Sequence, residues 1–341
     1  MIRECLVKLS QKQSLSEAEA HDCTLEMLEG NATPAQVASY LSFLNYKTET
    51  AEEIVGSVKA MRDKMIRANA VGLNAIDVCG TGGDHSGTFN ISTAAALVVA
   101  GGGVTVAKHG NRASSSQCGS AEVLDSLGVK IDPTTHTIEK CLKEAGIAFL
   151  LAPHFHPAMK NVGPIRKEIG IRTIFNILGP MCNPASVERQ VIGVFDMVKA
   201  RMMAEVLMSL GSKRVITLHS QEGLDEVSCA GSTTLFECRS DGDSVVMVNE
   251  FKITPETFGF QRHDLQELKG SDATANAKIV TEVLEGEKSP RREAVVMNAA
   301  VGFYVAGKCP SVKEGRALAE ESIDSGKALK TLKNLAKVSH S

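Results

Sequence analysis

Several features that would announce a destination or a bulk electrostatic partner are missing from this sequence. Charge of one sign is absent: 37 Lys and Arg stand against 40 Asp and Glu, a formal net charge of -3. That balance gives no broad attraction for nucleic acid or for an anionic membrane, so any anionic ligand must be met by a local site. Paired cysteine motifs are absent too. The nine cysteines, an odd number, fall at 5, 23, 79, 118, 141, 182, 229, 238 and 309 with no CxxC pair, which fits neither a disulfide framework nor a zinc ribbon and reads as reduced, mostly buried thiols in a cytosol. The longest apolar run, Ala94 to Val104, is short and broken by glycines, and the opening MIRECLVKLSQKQ lacks the apolar core of a signal peptide. Neither an internal repeat nor a low-complexity tract is visible. The expectation is a cytoplasmic chain with no membrane anchor and no nucleic-acid partner.

What is present is enough for a substantial core. At 341 residues and 43% hydrophobic content, one large domain plus a smaller one is the natural division. The first seventy residues read as helices only. Ser16 with Glu19, Thr33-Pro34 with Gln36, and Thr50 with Glu53 each have capping-box spacing, in which hydroxyl and carboxylate or amide satisfy the free N–H groups of a first turn. After the third, Ile54, Val58, Met61 and Met65 recur at helical spacing and form an apolar stripe that must pack against something.

The pattern changes near Asn74. Residues 75–79 read as a strand, a glycine-rich loop follows, residues 92–99 read as a helix stopped by Gly101-Gly102-Gly103, and residues 104–107 read as the next strand. That strand delivers a second polar loop running into a helix, so the succession is strand, loop, helix, strand, loop, helix, the signature of an α/β domain. Further strands are expected at 189–194 and 214–218, and helices at 276–284 and 290–305. The division expected is a helical domain over 1–69, joined by part of 160–185, and an α/β domain over 70–341.

The loop "VCGTGGDHSGTFNIST", residues 78–93, could hold a dinucleotide, a phosphate or pyrophosphate, or nothing. A Rossmann fingerprint fails because its third glycine position is His85 when counted from Gly80 and Val106 when counted from Gly101. A Walker loop fails because this one closes on Asn90-Ile91-Ser92-Thr93 instead of Gly-Lys-Ser/Thr. Backbone amides of Gly80 to Gly83, the hydroxyls of Ser92 and Thr93 and the helix start all favour a negative oxygen, although the loop alone also fits an ordinary turn with an N-cap. "KHGNR" adds Lys108 and Arg112, followed by Ser114, Ser115, Ser116 and Ser120. Cations and hydroxyls at the same sheet edge as the first loop suggest one polyphosphate. "HSQEGLDEVS" carries Asp225-Glu226, adjacent carboxylates of the kind hard Mg²⁺ takes beside substrate phosphates, or else a solvated acidic turn. A fourth stretch holds His154, His156, Arg166 and Arg172. No third nearby Cys or His completes a zinc set, so hydrogen-bonding or packing roles are expected for the histidines.

Taken together, "DVCGTGGD", "FNIST", "KHGNR", "GSAEVL", "RTIFNILGP" with "NPA", "GLDE", "VMNAA" and "IDSGKA" resemble the anthranilate phosphoribosyltransferase family, and the resemblance runs over essentially the whole chain. GTGGD alone is shared with pyrimidine nucleoside phosphorylases, whose second loop reads like Lys-His-Ser-Gly-Arg, whereas here Gly110-Asn111 follows Lys108-His109. The resemblance implies a class IV, nucleoside phosphorylase-like phosphoribosyltransferase fold. A small all-helical N-terminal domain would dimerise, and a larger α/β domain would carry a central, mostly parallel sheet flanked by helices. It implies transfer of the phosphoribosyl group of 5-phosphoribosyl 1-pyrophosphate to the amine of anthranilate in tryptophan biosynthesis, with no protein nucleophile. Phosphoribosyl pyrophosphate would be bound by Gly80, Thr81, Gly82, Gly83, Asp84, Thr88, Asn90, Ser92, Thr93, Lys108 and Ser120. Anthranilate would meet Gly80, His109, Asn111, His156 and Arg166, and Mg²⁺, as two ions with bound substrate, would sit at Ser92, Asp225 and Glu226. A homodimer and an anthranilate synthase amidotransferase subunit are the protein partners it suggests. A pyrimidine nucleoside phosphorylase of the same fold and a non-catalytic nucleic-acid-binding relative are the alternatives. The chain departs from the family's usual spelling at Gln117-Cys118-Gly119 and at Ser220 and Glu222.

Overall fold

Four helices open the chain: α1 (Ile2–Ser10), α2 (Glu17–Leu28), α3 (Pro34–Lys47) and α4 (Ala51–Lys64). All three expected capping boxes are formed, by Ser16 with Glu19, Thr33 with Gln36 and Thr50 with Glu53. The stripe Ile54, Val58, Met61 and Met65 is buried, each such side chain contributing about 1.5–3 kcal/mol on removal from water. Gly56 lets α2 and α4 approach closely, because a Cβ there would lie 2.2 Å from the Glu17 carbonyl oxygen. Glu53, fully buried, is satisfied by Leu15 N at 2.8 Å and by the Lys47 ammonium at 2.9 Å, so the helical unit carries no uncompensated charge at that point. The structure, a computed structural model, describes residues 1–113, 117–240 and 248–341.

The α/β unit is built on a seven-stranded sheet: β1 (Ile76–Gly80), β2 (Val106–Gly110), β3 (Ile147–Leu151), β4 (Arg189–Gly193), β5 (Arg214–Ser220), β6 (Thr233–Arg239) and β7 (Asn249–Ile253). The strand order is β3-β2-β1-β4-β5-β6-β7. From β3 to β5 neighbours run parallel, while β6 and β7 add antiparallel. Strands β1, β2 and β3 are buried on both faces, as helix-covered strands must be. The chain winds outward from β1 through β2 to β3 and then crosses to β4 on the other side of β1. The carboxyl ends of β1 and β4 therefore frame a topological switch point, where open α/β sheets bind ligands.

The fold class is the expected one, with one local correction. The second strand was expected over 104–107, but β2 spans Val106–Gly110 and includes Lys108 and His109, which are 2% and 5% exposed. Burying a lysine and a histidine in a central strand breaks the apolar pattern by which strands are read. Two cores result: one on the α/β unit, and a second that joins α1–α4 to Val162, Ile174, Ile177, Leu178 and Met181 and to Ile192 and Val194 around β4. Among the described residues no helix is long and apolar enough to cross a membrane.

Candidate functional site

The switch point carries a cleft of about 740 Å³. Its floor exists because β1 and β4 both end in glycine: Gly80 pairs with Gly193 in the parallel register. A Cβ on Gly193 would lie 1.6 Å from the Asp225 carbonyl oxygen, and one on Gly80 would lie 2.4 Å from Asp225 Oδ2. Only two bare backbones let the loop after β5 lie across the strand ends and deliver Asp225 and Glu226 into the cleft.

Above that floor the glycine loop turns through left-handed backbone at Gly82, Gly83 and Gly87, with φ of 67°, 76° and 67°. Nothing within 4 Å would meet a Cβ at Gly82, so its α-carbon borders open space, while its N–H is donated to Asp225 Oδ2 at 2.7 Å. The loop opens helix α5 (Ile91–Gly101), whose N-cap Asn90 makes no side-chain cap. First-turn N–H groups are thus left for other acceptors, and Ser92 N donates to Glu226 Oε1 at 3.1 Å. Lys108 reaches the same point from β2, its ammonium donating to Val78 O at 2.8 Å and lying 3.4 Å from Ser92 Oγ. Beneath it, buried Asp77 accepts from His109 N at 3.1 Å and from Asn183 Nδ2 at 2.7 Å. Burial pushes the Asp77 carboxyl up to about 6 against the pull of Lys108 and Asn183.

Asp225 and Glu226 are enclosed by protein on every side but the cleft. Burial, followed by repulsion from Asp84 for the first and from Asp225 for the second, raises both carboxyls above their ordinary range. Asp84 Oδ2 is buried with no hydrogen-bond partner. Crowded hard oxygens that resist ionising together and leave an orphaned atom suit a divalent cation. Among the described residues no group of three or more His, Cys, Asp or Glu forms a metal site by itself, so such an ion must take further oxygens from the Ser92 hydroxyl, from water and from a ligand.

The opposite wall comes from the segment that belongs to the helical core. Arg166, on the helix Gly163–Ile169, is half-buried with its guanidinium 3.4 Å from Asn176 Oδ1 and 5.4 Å from the Phe175 ring centroid. Burial alone lowers its pKa, and among the described residues no carboxylate pairs with it. His109 and His156 lie with ring centroids 5.3 Å apart. His109 Nδ1 faces Gly179 O at 3.1 Å, so that nitrogen carries the proton and Nε2 is a bare acceptor. Burial, then the neighbouring His156, pushes His109 down to about 3, and burial pushes His156 down to about 4. Both rings are neutral at physiological pH.

Of the residues read from the sequence, the cleft brings together the loop residues Gly80, Thr81, Gly82, Gly83, Asp84, Thr88, Asn90 and Ser92. Lys108, His109, Asn111 and Ser120, together with Arg166, Asp225 and Glu226, complete the set. Thr93 and His156 do not reach its wall. Thr93 is 1% exposed and donates to Ser120 Oγ at 3.2 Å, and His156 sits behind His109. Arg112 lies at the rim, 3.7 Å from Glu122. Ser114, Ser115 and Ser116 lie outside the described residues. The sequence reading did not place Phe195, Asn176 or the segment 269–276 at the site. Arg172, noted in the sequence without a role, donates to Gly83 O and stacks 4.1 Å from the Phe195 ring centroid. The only sequence signal for the distant segment, glycine and serine just before a helix, is shared by many surface turns.

Comparison with known proteins matches residues 72–329 to the glycosyl transferase family, a/b domain, and residues 3–65 to the glycosyl transferase family, helical bundle domain. The anthranilate phosphoribosyltransferase of Rhodopseudomonas palustris is 48% identical over 337 residues, covering 99% of this chain and 98% of the relative. That of Rubrobacter xylanophilus is 45% identical over 340 residues, with the same coverage. Among solved structures, the Thermus thermophilus anthranilate phosphoribosyltransferase superposes with a TM-score of 0.91 at 39% identity, over 98% of this chain and 99% of that one. The Saccharomyces cerevisiae enzyme in complex with PRPP and Mg gives 0.89 at 31% identity, over 99% and 98%. The same enzyme in complex with 4-fluoroanthranilate gives 0.87 at 29% identity, over 100% and 99%.

Proposed function

This chain belongs to the anthranilate phosphoribosyltransferase family, and from that membership and the shape of its cleft we infer how it works. It transfers the phosphoribosyl group of 5-phosphoribosyl 1-pyrophosphate to the amine of anthranilate, releasing pyrophosphate. The observation that supports the site assignment is that one cleft joins two unlike half-sites: a glycine loop and helix start that favour anions, and a half-buried Arg166 with no carboxylate partner among the described residues. In this reading the amide of Gly83, the Ser92 hydroxyl and the Lys108 ammonium hold phosphate oxygens, the bare α-carbon of Gly82 leaves room for the phosphate to approach, and Asp84, Thr88, Asn90 and Ser120 complete that wall. Arg166 holds the anthranilate carboxylate in a planar, bidentate match that lysine could not reproduce. His109 and Asn111 face the aromatic amine.

The reaction needs no nucleophile from the protein, because the amine attacks the anomeric carbon directly as pyrophosphate leaves. What the chain contributes is alignment of amine and carbon, and donors aimed at the charge that develops on the departing oxygens. Asp225, Glu226 and Ser92 would hold Mg²⁺, as two ions with substrate present. When bound, the metal neutralises pyrophosphate charge and so improves the leaving group. Neutral His109, kept unprotonated by burial, adds no positive charge beside the amine.

Loss of anthranilate fluorescence on adding phosphoribosyl pyrophosphate and Mg²⁺ tests this reading. No loss with both present, or phosphate-dependent cleavage of a nucleoside instead, would overturn it. The homodimer is proposed through the helical unit, where Met1, Val7 and Tyr46 are 54%, 59% and 71% exposed; a single monomer boundary in sedimentation at micromolar concentration would refute it. An amidotransferase subunit partner is proposed from family resemblance alone and is tested by co-sedimentation. Nine cysteines, eight of them buried and none in a paired motif, support placement in a reducing cytoplasm.

A further inference from the structure

One wall of the cleft comes from a part of the chain that none of the phosphate-loop motifs includes. Phe89 N donates to Leu268 O at 2.9 Å and Gly270 N to Gly87 O at 3.0 Å, with Thr88 opposite Lys269 in a short antiparallel bridge. Behind this pairing sits Asn276, on the helix Ala273–Leu284, 1% exposed yet part of the cleft lining. Gly270 makes room for it, since a Cβ there would lie 2.5 Å from Asn276 Oδ1.

The hydrogen bonds around Asn276 fix two amides in sequence. Its Oδ1 faces the backbone N–H of Ser271 at 2.8 Å, and a backbone N–H can only donate. That bond sets the orientation of the Asn276 amide, so its Nδ2 is the atom 3.0 Å from Asn90 and must meet the Asn90 oxygen. Asn90 Nδ2 then faces the Cys118 carbonyl at 3.2 Å, which can only accept. Asn90 Oδ1 also lies 3.5 Å from the Cys118 thiol. The Asn90 oxygen is thus turned toward the Asn276 donor and one of its two N–H groups is spent on the Cys118 carbonyl, leaving the second N–H. Asn90 lines the cleft at the start of α5 and uses none of its side chain as a helix cap.

We propose that Asn276 is a positioning residue for the phosphoribosyl pyrophosphate site, locking the Asn90 amide so that its free N–H, and not its oxygen, is offered to the substrate's phosphate. The proposal rests on the reading of Asn90 as a contact to that substrate. Without the Asn276 donor the Asn90 amide can turn over and present an acceptor to an anion, which repels where a donor attracts.

Asn276→Asp is the informative change. It keeps an oxygen for Ser271 N, preserves volume, and replaces the donor to Asn90 by an acceptor. The expected result is a KM for phosphoribosyl pyrophosphate raised about tenfold or more, with the KM for anthranilate within about twofold, as follows from loss of one charge-assisted bond at one half-site. A cycle with Asn90→Ala separates positioning from general structure. Asn90→Ala alone should raise the same KM, and adding Asn276→Asp to it should change that KM by no more than about twofold, because the residue then has nothing left to position. An equal Asn276→Asp effect in both backgrounds, or an equal rise for anthranilate, overturns the proposal. An Asn90→Ala variant with an unchanged KM for phosphoribosyl pyrophosphate overturns the underlying assignment of Asn90 instead. If thermal melting shows that Asn276→Asp does not fold, Asn276→Ala enters the same cycle with the same expected outcomes.

Discussion

Replacing Arg166 with alanine separates the two half-sites most directly. In the ligand-free protein the guanidinium makes one long bond, 3.4 Å to Asn176 Oδ1, and a distant contact with the Phe175 ring at 5.4 Å. Burial lowers its pKa and no carboxylate among the described residues offsets that loss, so the fold gains little from it and its remaining N–H groups await an anion. A carboxylate bound there makes charge-assisted bonds worth roughly 1.5–3 kcal/mol, and their loss corresponds to a rise of about 10-fold to 150-fold in the KM for anthranilate. Because the proposed pyrophosphate donors sit on the glycine loop and β2, the KM for phosphoribosyl pyrophosphate should stay within about twofold. Arg166→Lys should fall between the two, keeping charge but losing the planar fork. The melting temperature should not fall, since the change removes a half-buried cation that has no ionic partner among the described residues. Steady-state fluorescence kinetics with each substrate varied in turn gives both constants. A rise confined to phosphoribosyl pyrophosphate would refute the division of the cleft.

Three further changes probe the other half-site. Asp225→Asn with Glu226→Gln should end turnover at ordinary Mg²⁺ and raise the melting temperature of the ligand-free protein at neutral pH. Both carboxyls are raised above their ordinary 3.8 and 4.5 by burial and like charge. The stability they contribute is therefore complete below those values and is lost as pH rises through the raised ones, a decline that calorimetry should find reduced in the double variant. Gly82→Val should abolish calorimetric binding of phosphoribosyl pyrophosphate while anthranilate binding survives, because φ of 67° disfavours a branched residue and its side chain would fill the open space beside the loop. Gly193→Ala should lower the denaturant midpoint and cripple both substrates together, since its Cβ would sit 1.6 Å from the Asp225 carbonyl oxygen and must displace the loop that carries both acids.

The parts of this molecule that were legible from sequence are those whose physics is local. A capping box needs residues three apart, and Ser16, Thr33 and Thr50 all cap as their spacing requires. The turn of the glycine loop into a helix start was readable because positive φ and a helix start are properties of a short stretch. β2 was displaced by two residues in the reading because Lys108 and His109 look like loop residues until Asp77, Asn183 and Val78 are known to surround them. β3, β6 and β7 offered short runs with no loop chemistry to mark them.

The site was hardest to read where one residue works through another. Gly193 is an unremarkable strand end until the Asp225 backbone lies across it, and that pairing spans residues joined only by the sheet order β1-β4-β5. Asn276 looks like a polar position in the first turn of an amphipathic helix, and its partner Asn90 is 186 positions away. His156 and Thr93 show the converse: both belong to stretches that supply the site, yet folding turns them behind His109 and onto Ser120, out of the cleft. Composition and spacing can say that a stretch supplies a site, because loop chemistry is short-range. Which member of the stretch faces the ligand is set by the strand register and by the buried amide or carboxylate behind it. The variants that test this fold most severely are accordingly at Asn276 and Gly193, neither of which belongs to the phosphate-loop motifs.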